Sequence, residues 1–477
     1  MNDPLTFIIF GATGDLYQNK LSVALWNLFS LGFLSTEFRV VGFARRPMTH
    51  GEFQNFTRHT ILRKTKNIDQ NKLEDFLKCF TYIQGDLENF QSFQNLGREL
   101  MEEDARIGFC TNKLFYLAVP PTLYASTFKN IAGAGLTVPC APSVKSRANA
   151  WTRVLVEKPF GKDITEAKRL DKMLGELFEE SQIFRIDHYL AKETMQNLLT
   201  FRFSNGVFES LWNNKNIEHV RIIFHEKNVP EDTLAKRGAL YDGIGALRDV
   251  GQNHMLQMLA LIAMENPKIM NAENIQDARS KVLEKVSLLN KYSLLRAQYK
   301  GYLSEPNIKN DSTTETFFRV ILGINNKRWR GVPFEMESGK ALNKEEMSIE
   351  VFFKKSSLPL MKDSHAEGNQ NVLKFIIQPN EGIKFRFWFK RPGFDFTLVP
   401  QELSFNYSDI LISNNKPEKL HDAYERVLYD CILGDQTLFT NTKEIMAEWK
   451  LVTDIIKLWQ EIPLIVYKKG SVAEDIK

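Results

Sequence analysis

The chain is 477 residues long, 43% hydrophobic and 25% charged, enough to bury a large core divided over two or three domains. Its 62 lysines and arginines against 58 acids leave a net charge of +4 with no long basic block, which excludes nucleic acid as the expected partner and favours small anions. The amino terminus "MNDPLTFIIF" carries an acid where a signal peptide carries bases, and apolar runs such as "MLALIAM" (258–264) fall short of the roughly 18 residues of a membrane span, so a cytoplasmic protein without a membrane partner is expected.

In chain order, "LTFIIF", "FRVVGF", "KLFYLAV", "RVLVEKP" and "QIFRID" are short apolar runs separated by amphipathic stretches within the first 187 residues. This alternation predicts a Rossmann-like, doubly wound parallel sheet with helices on both faces. The first helix places Leu21, Leu25, Leu28 and Phe29 on one face and stops near Gly32. Beyond residue 200 come "HVRIIFHE", "FFRVILGI", "SIEVFFKK", "LKFIIQP", "IKFRFWFK" and "ELSFNYS", separated by polar turns. They predict an α+β domain with a large, mainly antiparallel sheet, covered by helices near 250–264 and 419–434. The stretch 355–371 reads as an exposed loop. The expected division is a nucleotide-binding domain, 1–187, and a substrate and dimerisation domain, 188–477.

"FGATGDL" follows the first strand and opens the first helix, where Gly11, Ala12, Thr13, Gly14, Asp15 and Leu16 would turn backbone amides and a helix terminus toward a pyrophosphate. Tyr17 stands where the usual fingerprint has its third glycine, so an ordinary strand-to-helix turn remains open. The second strand ends "VVGFARR". Arg45 and Arg46 stand where an acid would select NAD, and they predict NADP through pairing with a 2′-phosphate; the alternative is two solvated arginines before Pro47.

"RIDHYLAKE", Arg185–Glu193, concentrates titrating groups at the end of the last strand of this sheet, where open α/β folds bind ligands. His188, Tyr189 and Lys192 are donors suited to a doubly charged phosphate; a carboxylate is not, so Asp187 invites another role. Cysteines 79, 110, 140 and 431 have neither paired spacing nor a Cys-x-x-Cys motif and are read as four free thiols, with no metal site.

"RIDHYLAKE" resembles the active-site signature of the glucose-6-phosphate dehydrogenase family, departing only at Ala191. "GATGDL", "FYLAVPPTLY", "VEKPFG", "RDVGQNHMLQML", "RWRGVPFEMESGKALN", "IIQPNEGI" and "DAYERVLYDCILGDQTLF" match the same family in the same order over nearly the whole chain. The resemblance implies oxidation of D-glucose 6-phosphate to 6-phospho-D-glucono-1,5-lactone with NADP taking the hydride, the first step of the oxidative pentose phosphate pathway. It implies that His254 is the base, a role suited to an imidazole, and that Asp187 orients it. His188, Tyr189, Lys192 and Lys340 map onto phosphate contacts, Glu226 and Asp249 onto contacts with sugar hydroxyls, and Lys158 onto a lysine between sugar and nicotinamide, followed by a family cis-proline at Pro159. It also implies a homodimer or homotetramer.

Three departures stand out: "HEK" at 225–227 where the family often has Lys-Glu-Pro, Gly251 in place of a larger apolar residue, and Glu345 near a basic phosphate contact, with Lys344 as a substitute. The first two are expected to loosen the sugar pocket. Two other readings stay open: a dehydrogenase of another sugar, and a catalytically inactive NADP-binding sensor.

Overall fold

The computed structural model describes residues 3–35, 37–140, 150–227, 241–355, 369–394, 397–409 and 420–477. They form two compact units, one of residues 1–191 with 421–442 and one of 192–420 with 443–477. The stretch 355–371, expected as a loop, lies mostly outside the described residues.

The first unit is built on strands β1 (Leu5–Phe10), β2 (Phe38–Ala44), β3 (Phe80–Gln84), β4 (Asn112–Leu117), β5 (Thr152–Val156) and β6 (Ile183–Ile186). They run in parallel in the order β3-β2-β1-β4-β5-β6, with the two-residue β16 (Phe439–Thr440) added antiparallel beside β6. Strand β1 is buried at all six positions, the continuous apolar run of a strand covered on both faces. Phe10 packs against Phe43 and Phe115 at 5.3 and 5.9 Å between ring centroids, and each buried aromatic of this kind contributes about 1.5–3 kcal/mol. Helix termini follow local rules: Thr49 and Glu52 form a capping box on helix His50–Lys64. Helix Phe90–Ile107 ends at Gly108 in the left-handed region, φ 81°.

The second unit holds β7 (Ile217–His225), β8 (Val286–Leu288), β9 (Leu294–Tyr299), β10 (Phe317–Ile324), β11 (Phe334–Gly339), β12 (Glu346–Phe353), β13 (Val372–Gln378), β14 (Gly382–Lys390), β15 (Leu398–Asn406) and β17 (Leu464–Tyr467). The sheet runs β15-β14-β13-β12-β7-β11-β10-β9-β17, with β8 also paired to β10. It is antiparallel except at β7–β11 and β9–β17. Helix Glu193–Ser204 packs on β13, and the helix Leu247–Met255 on β7 and β11. The latter is wound as a π-helix and runs on as α-helix Leu256–Ala263.

Two expectations are corrected. Helix Ala423–Leu433 does not cover the antiparallel sheet; it packs in the first unit on helix Ser22–Ser30, where Glu425 accepts from Asn27 at 2.5 Å and Asp422 pairs with Lys20 at 3.0 Å. The cysteines are not four free thiols. Cys110, just before β4, and Cys140, after helix Tyr124–Gly133, form a disulfide although 30 residues apart, because the fold brings their Cα atoms to 5.8 Å. Sequence spacing carries no trace of that approach. Cys79 and Cys431 are free.

Candidate active site

In the first unit, the loop after β1 has the geometry an anion requires. Gly11 adopts φ 80°, and a side chain there would also run into the Ala118 carbonyl at the end of β4, so both conformation and proximity demand glycine. Gly11 N donates to Phe43 O at 2.9 Å and Gly14 N to Gly11 O at 2.9 Å, folding Gly11–Gly14 into a tight turn. The helix begins immediately afterwards, at Asp15 and Leu16, and presents its amino terminus there. Tyr17 explains the missing third glycine. Its ring stacks on Phe53 and Phe56, and its phenol meets Thr57 Oγ1 at 2.6 Å, so helix and sheet meet through a filled contact instead of a close one. Arg45 and Arg46 follow the end of β2 and are exposed, and their carbonyls are held by Gln84 and Tyr82.

Beyond β5, the Lys158–Pro159 peptide is cis, as the resemblance implied. Lys158 follows a buried glutamate, Glu157, whose carboxyl is held by the phenols of Tyr116 and Tyr424 and whose carbonyl accepts from Tyr124 at 2.9 Å. Burial raises the Glu157 carboxyl above its usual range, against these phenols.

At the end of β6, Asp187 is 3% exposed and its Oδ1 accepts from Tyr189 N at 3.0 Å. His188 stacks on Tyr424 at 5.7 Å and lies 4.8 Å from the Tyr189 ring. Arg185 is structural: it is 3% exposed and clamped by Glu180, Asp171 and Thr442 at 2.6–3.1 Å. The role of Tyr424 escapes the sequence reading, although "DAYERVLYDC" was among the matching segments. Only tertiary contact reveals that Tyr424 backs both His188 and Glu157.

In the second unit, three predicted residues come together. Lys340 donates to Glu226 at 2.5 Å, lies 3.7 Å from Asp249, and sits 5.1 Å over the Tyr241 ring. Its side chain is 12% exposed, so it is not a solvated surface lysine. Burial opposes its charge, but Glu226 and Asp249 outweigh burial and hold the ammonium above the usual lysine range. Tyr467 donates to the Lys340 carbonyl at 2.6 Å and so braces this turn from the carboxyl-terminal segment. Tyr241 and Tyr467 carried no motif by which to be found.

His254 lies on the same helix as Asp249 and is buried, with its ring parallel to that of Phe224 on β7 at 6.4 Å. Asn253 Oδ1 accepts from His254 N at 2.7 Å. The far end of the continuing helix is secured: Trp212 and Trp329 donate to the carbonyls of Ile262 and Ala263 at 2.7 Å, and Arg202 to those of Leu261 and Met264. Lys192 begins helix Glu193–Ser204, its carbonyl accepting from Met195 N at 3.0 Å.

The departures are absorbed by the fold. Where Gly251 lacks a side chain, Phe318 and Leu247 fill the space, their nearest carbons about 2.9 Å from where a β-carbon would stand. A larger residue would clash, and the helix gains contact with β10; no loosening results. His225 Nε2 meets Glu337 Oε1 at 2.8 Å, and Arg221 and Arg319 converge on the same carboxylate. Burial would raise Glu337, but His225 and the two arginines lower it to about 2. The changed residue therefore enters a packed charge cluster. Lys344 pairs with Glu346 at 2.7 Å, so its charge is already engaged.

Family models of the glucose-6-phosphate dehydrogenase NAD-binding domain and C-terminal domain match residues 8–197 and 199–475. The chain is 37% identical over 474 residues to the cytoplasmic glucose-6-phosphate 1-dehydrogenase 5 of Arabidopsis thaliana, covering 98% of this chain and 89% of the relative. It is 37% identical over 473 residues to the Chlamydia pneumoniae glucose-6-phosphate 1-dehydrogenase, covering 96% and 90%. A solved glucose-6-phosphate dehydrogenase in complex with its substrate glucose-6-phosphate superposes with a TM-score of 0.89 at 31% identity, over 99% of this chain and 96% of that one. Levoglucosan dehydrogenase shares the fold alone, with a TM-score of 0.54 at 9% identity. Two family models that together span almost the entire length, and relatives of this identity, establish that the chain belongs to the glucose-6-phosphate dehydrogenase family of oxidoreductases acting on CH–OH groups.

Proposed function

We propose that the protein oxidises the anomeric carbon of D-glucose 6-phosphate to 6-phospho-D-glucono-1,5-lactone with NADP as hydride acceptor, the entry reaction of the oxidative pentose phosphate pathway. The observation that carries this reading is the half-buried Lys340–Glu226–Asp249 cluster on and beside the helix that bears a buried imidazole, His254. A site of directed hydrogen bonds to hydroxyls rejects analogues lacking them far better than an apolar pocket can, and this cluster supplies such groups.

In this reading His254 takes the proton of the anomeric hydroxyl and Asp187 orients its ring and stabilises the imidazolium. His188, Tyr189, Lys192 and Lys340 hold the sugar phosphate, Glu226 and Asp249 bond its hydroxyls, and Lys158 stands between sugar and nicotinamide. Residues 1–187 serve as the nucleotide domain and 188–477 as the substrate domain. NADP, when bound, supplies the hydride acceptor; Gly11–Leu16 would hold its pyrophosphate through backbone amides, and Arg45 and Arg46 its 2′-phosphate. The left-handed Gly11 and the helix start after Gly14 favour this fit.

Two further elements belong to the reading. Strands β14 and β15 leave Phe389 47% and Leu403 63% exposed beside an unpaired strand edge, which supports self-association as a homodimer or homotetramer; sedimentation decides it. Cytoplasmic residence is supported by the name of the plant relative, and no helix among the described residues is long and apolar enough to cross a membrane. The test of the activity is direct: purified protein with glucose 6-phosphate and either NADP or NAD, followed by nicotinamide absorbance, should reduce NADP in preference. Faster turnover of galactose 6-phosphate or free glucose, or NADP binding without turnover, would reject it.

A further inference from the structure

The helix Leu247–Met255 begins without a cap of its own. The helical run that carries it starts at Gly245, with Ala246 already in helical conformation and lacking a side-chain acceptor, and first-turn amides are left unsatisfied unless something outside the helix reaches them. Here the partner comes from the residues leading into β10. Glu315 Oε1 accepts from Leu247 N at 2.9 Å, and the Glu315 carbonyl accepts from Ala246 N at 3.1 Å. Its neighbours fasten the same lead-in to two other places: Thr314 Oγ1 accepts from Gly243 N at 2.8 Å, and the Thr316 carbonyl accepts from Lys340 N at 2.9 Å. One three-residue segment thus binds both the start of the His254 helix and the backbone of Lys340.

The fit around Glu315 is close. It is 4% exposed. Gly245, at φ 76°, lies against its carboxyl group, so that any side chain there would collide with it. Arg248 from the helix and Arg296 from β9 face it with positive charge. Tyr241 reaches its carbonyl at 3.3 Å and is itself surrounded by Asp249, Glu226 and Tyr302.

We propose that Glu315 is a positioning residue for the reaction: its carboxylate caps the helix Leu247–Met255 and sets where Asp249 and His254 stand relative to Lys340. The inference rests on the reading of His254 as the base. Burial pushes the Glu315 carboxyl up to about 7, against the Leu247 amide, which pulls it down. Burial therefore costs the ionised form more than the Leu247 amide returns, so the capped arrangement is held less firmly as pH rises through neutrality. Glutamine keeps an acceptor oxygen and loses the titration; alanine loses both.

The experiment compares full-length wild type, Glu315→Ala and Glu315→Gln by steady-state kinetics across pH and by hydrogen exchange at the amides of 247–255. Loss of one capping bond corresponds to roughly a fivefold to tenfold change in an equilibrium. Glu315→Ala should therefore lower kcat about tenfold with KM for NADP unchanged, and speed exchange of those amides by a similar factor. Glu315→Gln should restore kcat to within about twofold at pH 8 and shift the acid limb of the kcat profile. Unchanged exchange in Glu315→Ala, or a Glu315→Gln profile identical to wild type, would overturn the proposal. If wild type fails to oxidise glucose 6-phosphate at all, the functional reading falls, while the exchange measurement still decides the cap.

Discussion

The two units organise their polar groups by opposite means. In the first, the loop Gly11–Leu16 depends on main-chain geometry: a left-handed glycine, a tight turn and a helix start. In the second, Lys340, Glu226 and Asp249, half-buried, and the cluster around the fully buried Glu337 are side-chain charges that neutralise one another. The difference teaches where each unit is vulnerable. A main-chain site tolerates many side chains and fails when a glycine is replaced. A buried charge cluster fails when one charge is removed, because its partners are left uncompensated.

Five substitutions break or sharpen this contrast. The largest effect belongs to His254→Asn in the second unit, expected to lower kcat by about 10² to 10⁴ while leaving KM for both substrates nearly unchanged; steady-state kinetics on folded variant checks it. Next comes Glu337→Gln. The wild-type carboxyl lies near 2 in the folded chain against an ordinary 4.5, so its contribution of about 3 kcal/mol is present above pH 4.5 and lost as pH falls through 2. Urea unfolding should accordingly show the variant destabilised by about this amount at pH 7, with the difference closing in acid. Glu315 has the opposite sign: raised to about 7 from 4.5, it favours the folded state most below pH 4.5 and loses that contribution as pH rises through 7.

Lys340→Ala removes the cation shared by two acids, and the loss of a charge-assisted bond predicts a rise in KM for glucose 6-phosphate of about tenfold to a hundredfold, with KM for NADP unchanged. The smallest effect is in the first unit. Arg45→Ala and Arg46→Ala should each weaken NADP by about tenfold and leave NAD alone, as expected for exposed donors to a single phosphate. Equal loss for both cofactors would show that the two arginines serve the loop and not the 2′-phosphate.

Much of the first unit was legible in the sequence because buried parallel strands are written as continuous apolar runs. "LTFIIF" is β1 residue for residue, β6 falls within the run that suggested it, and β2, β4 and β5 each extend one residue beyond theirs. Strand β3 escaped because "FTYIQ" alternates buried and exposed positions over only five residues. In the second unit "FFRVILGI" coincides with β10, whereas β8, β9, β11 and β17 were missed; "FEMESG" places acids within a strand, and only their pairing with arginines makes that tolerable. Among site residues, motif positions were readable one by one, but not their partners. Tyr424, Tyr467 and Glu315 act through contacts made across 68 to 267 positions of chain, from Leu247 to Glu315 and from Glu157 to Tyr424 at the near and far ends of that span, and nothing local marks them.

By itself the sequence determined the apolar runs that become β1, β2, β4, β5, β6 and β10, the glycine turn after β1 and the chemical types of the candidate site residues, because hydrophobic period and turn chemistry are local properties of neighbouring residues. Tertiary structure alone decided that Cys110 meets Cys140, that Phe318 fills the space above Gly251, that helix Ala423–Leu433 joins the first unit, and that Glu315 caps the helix bearing His254. Each of these depends on burial and distance between segments far apart in the chain, and a one-dimensional pattern does not contain those distances.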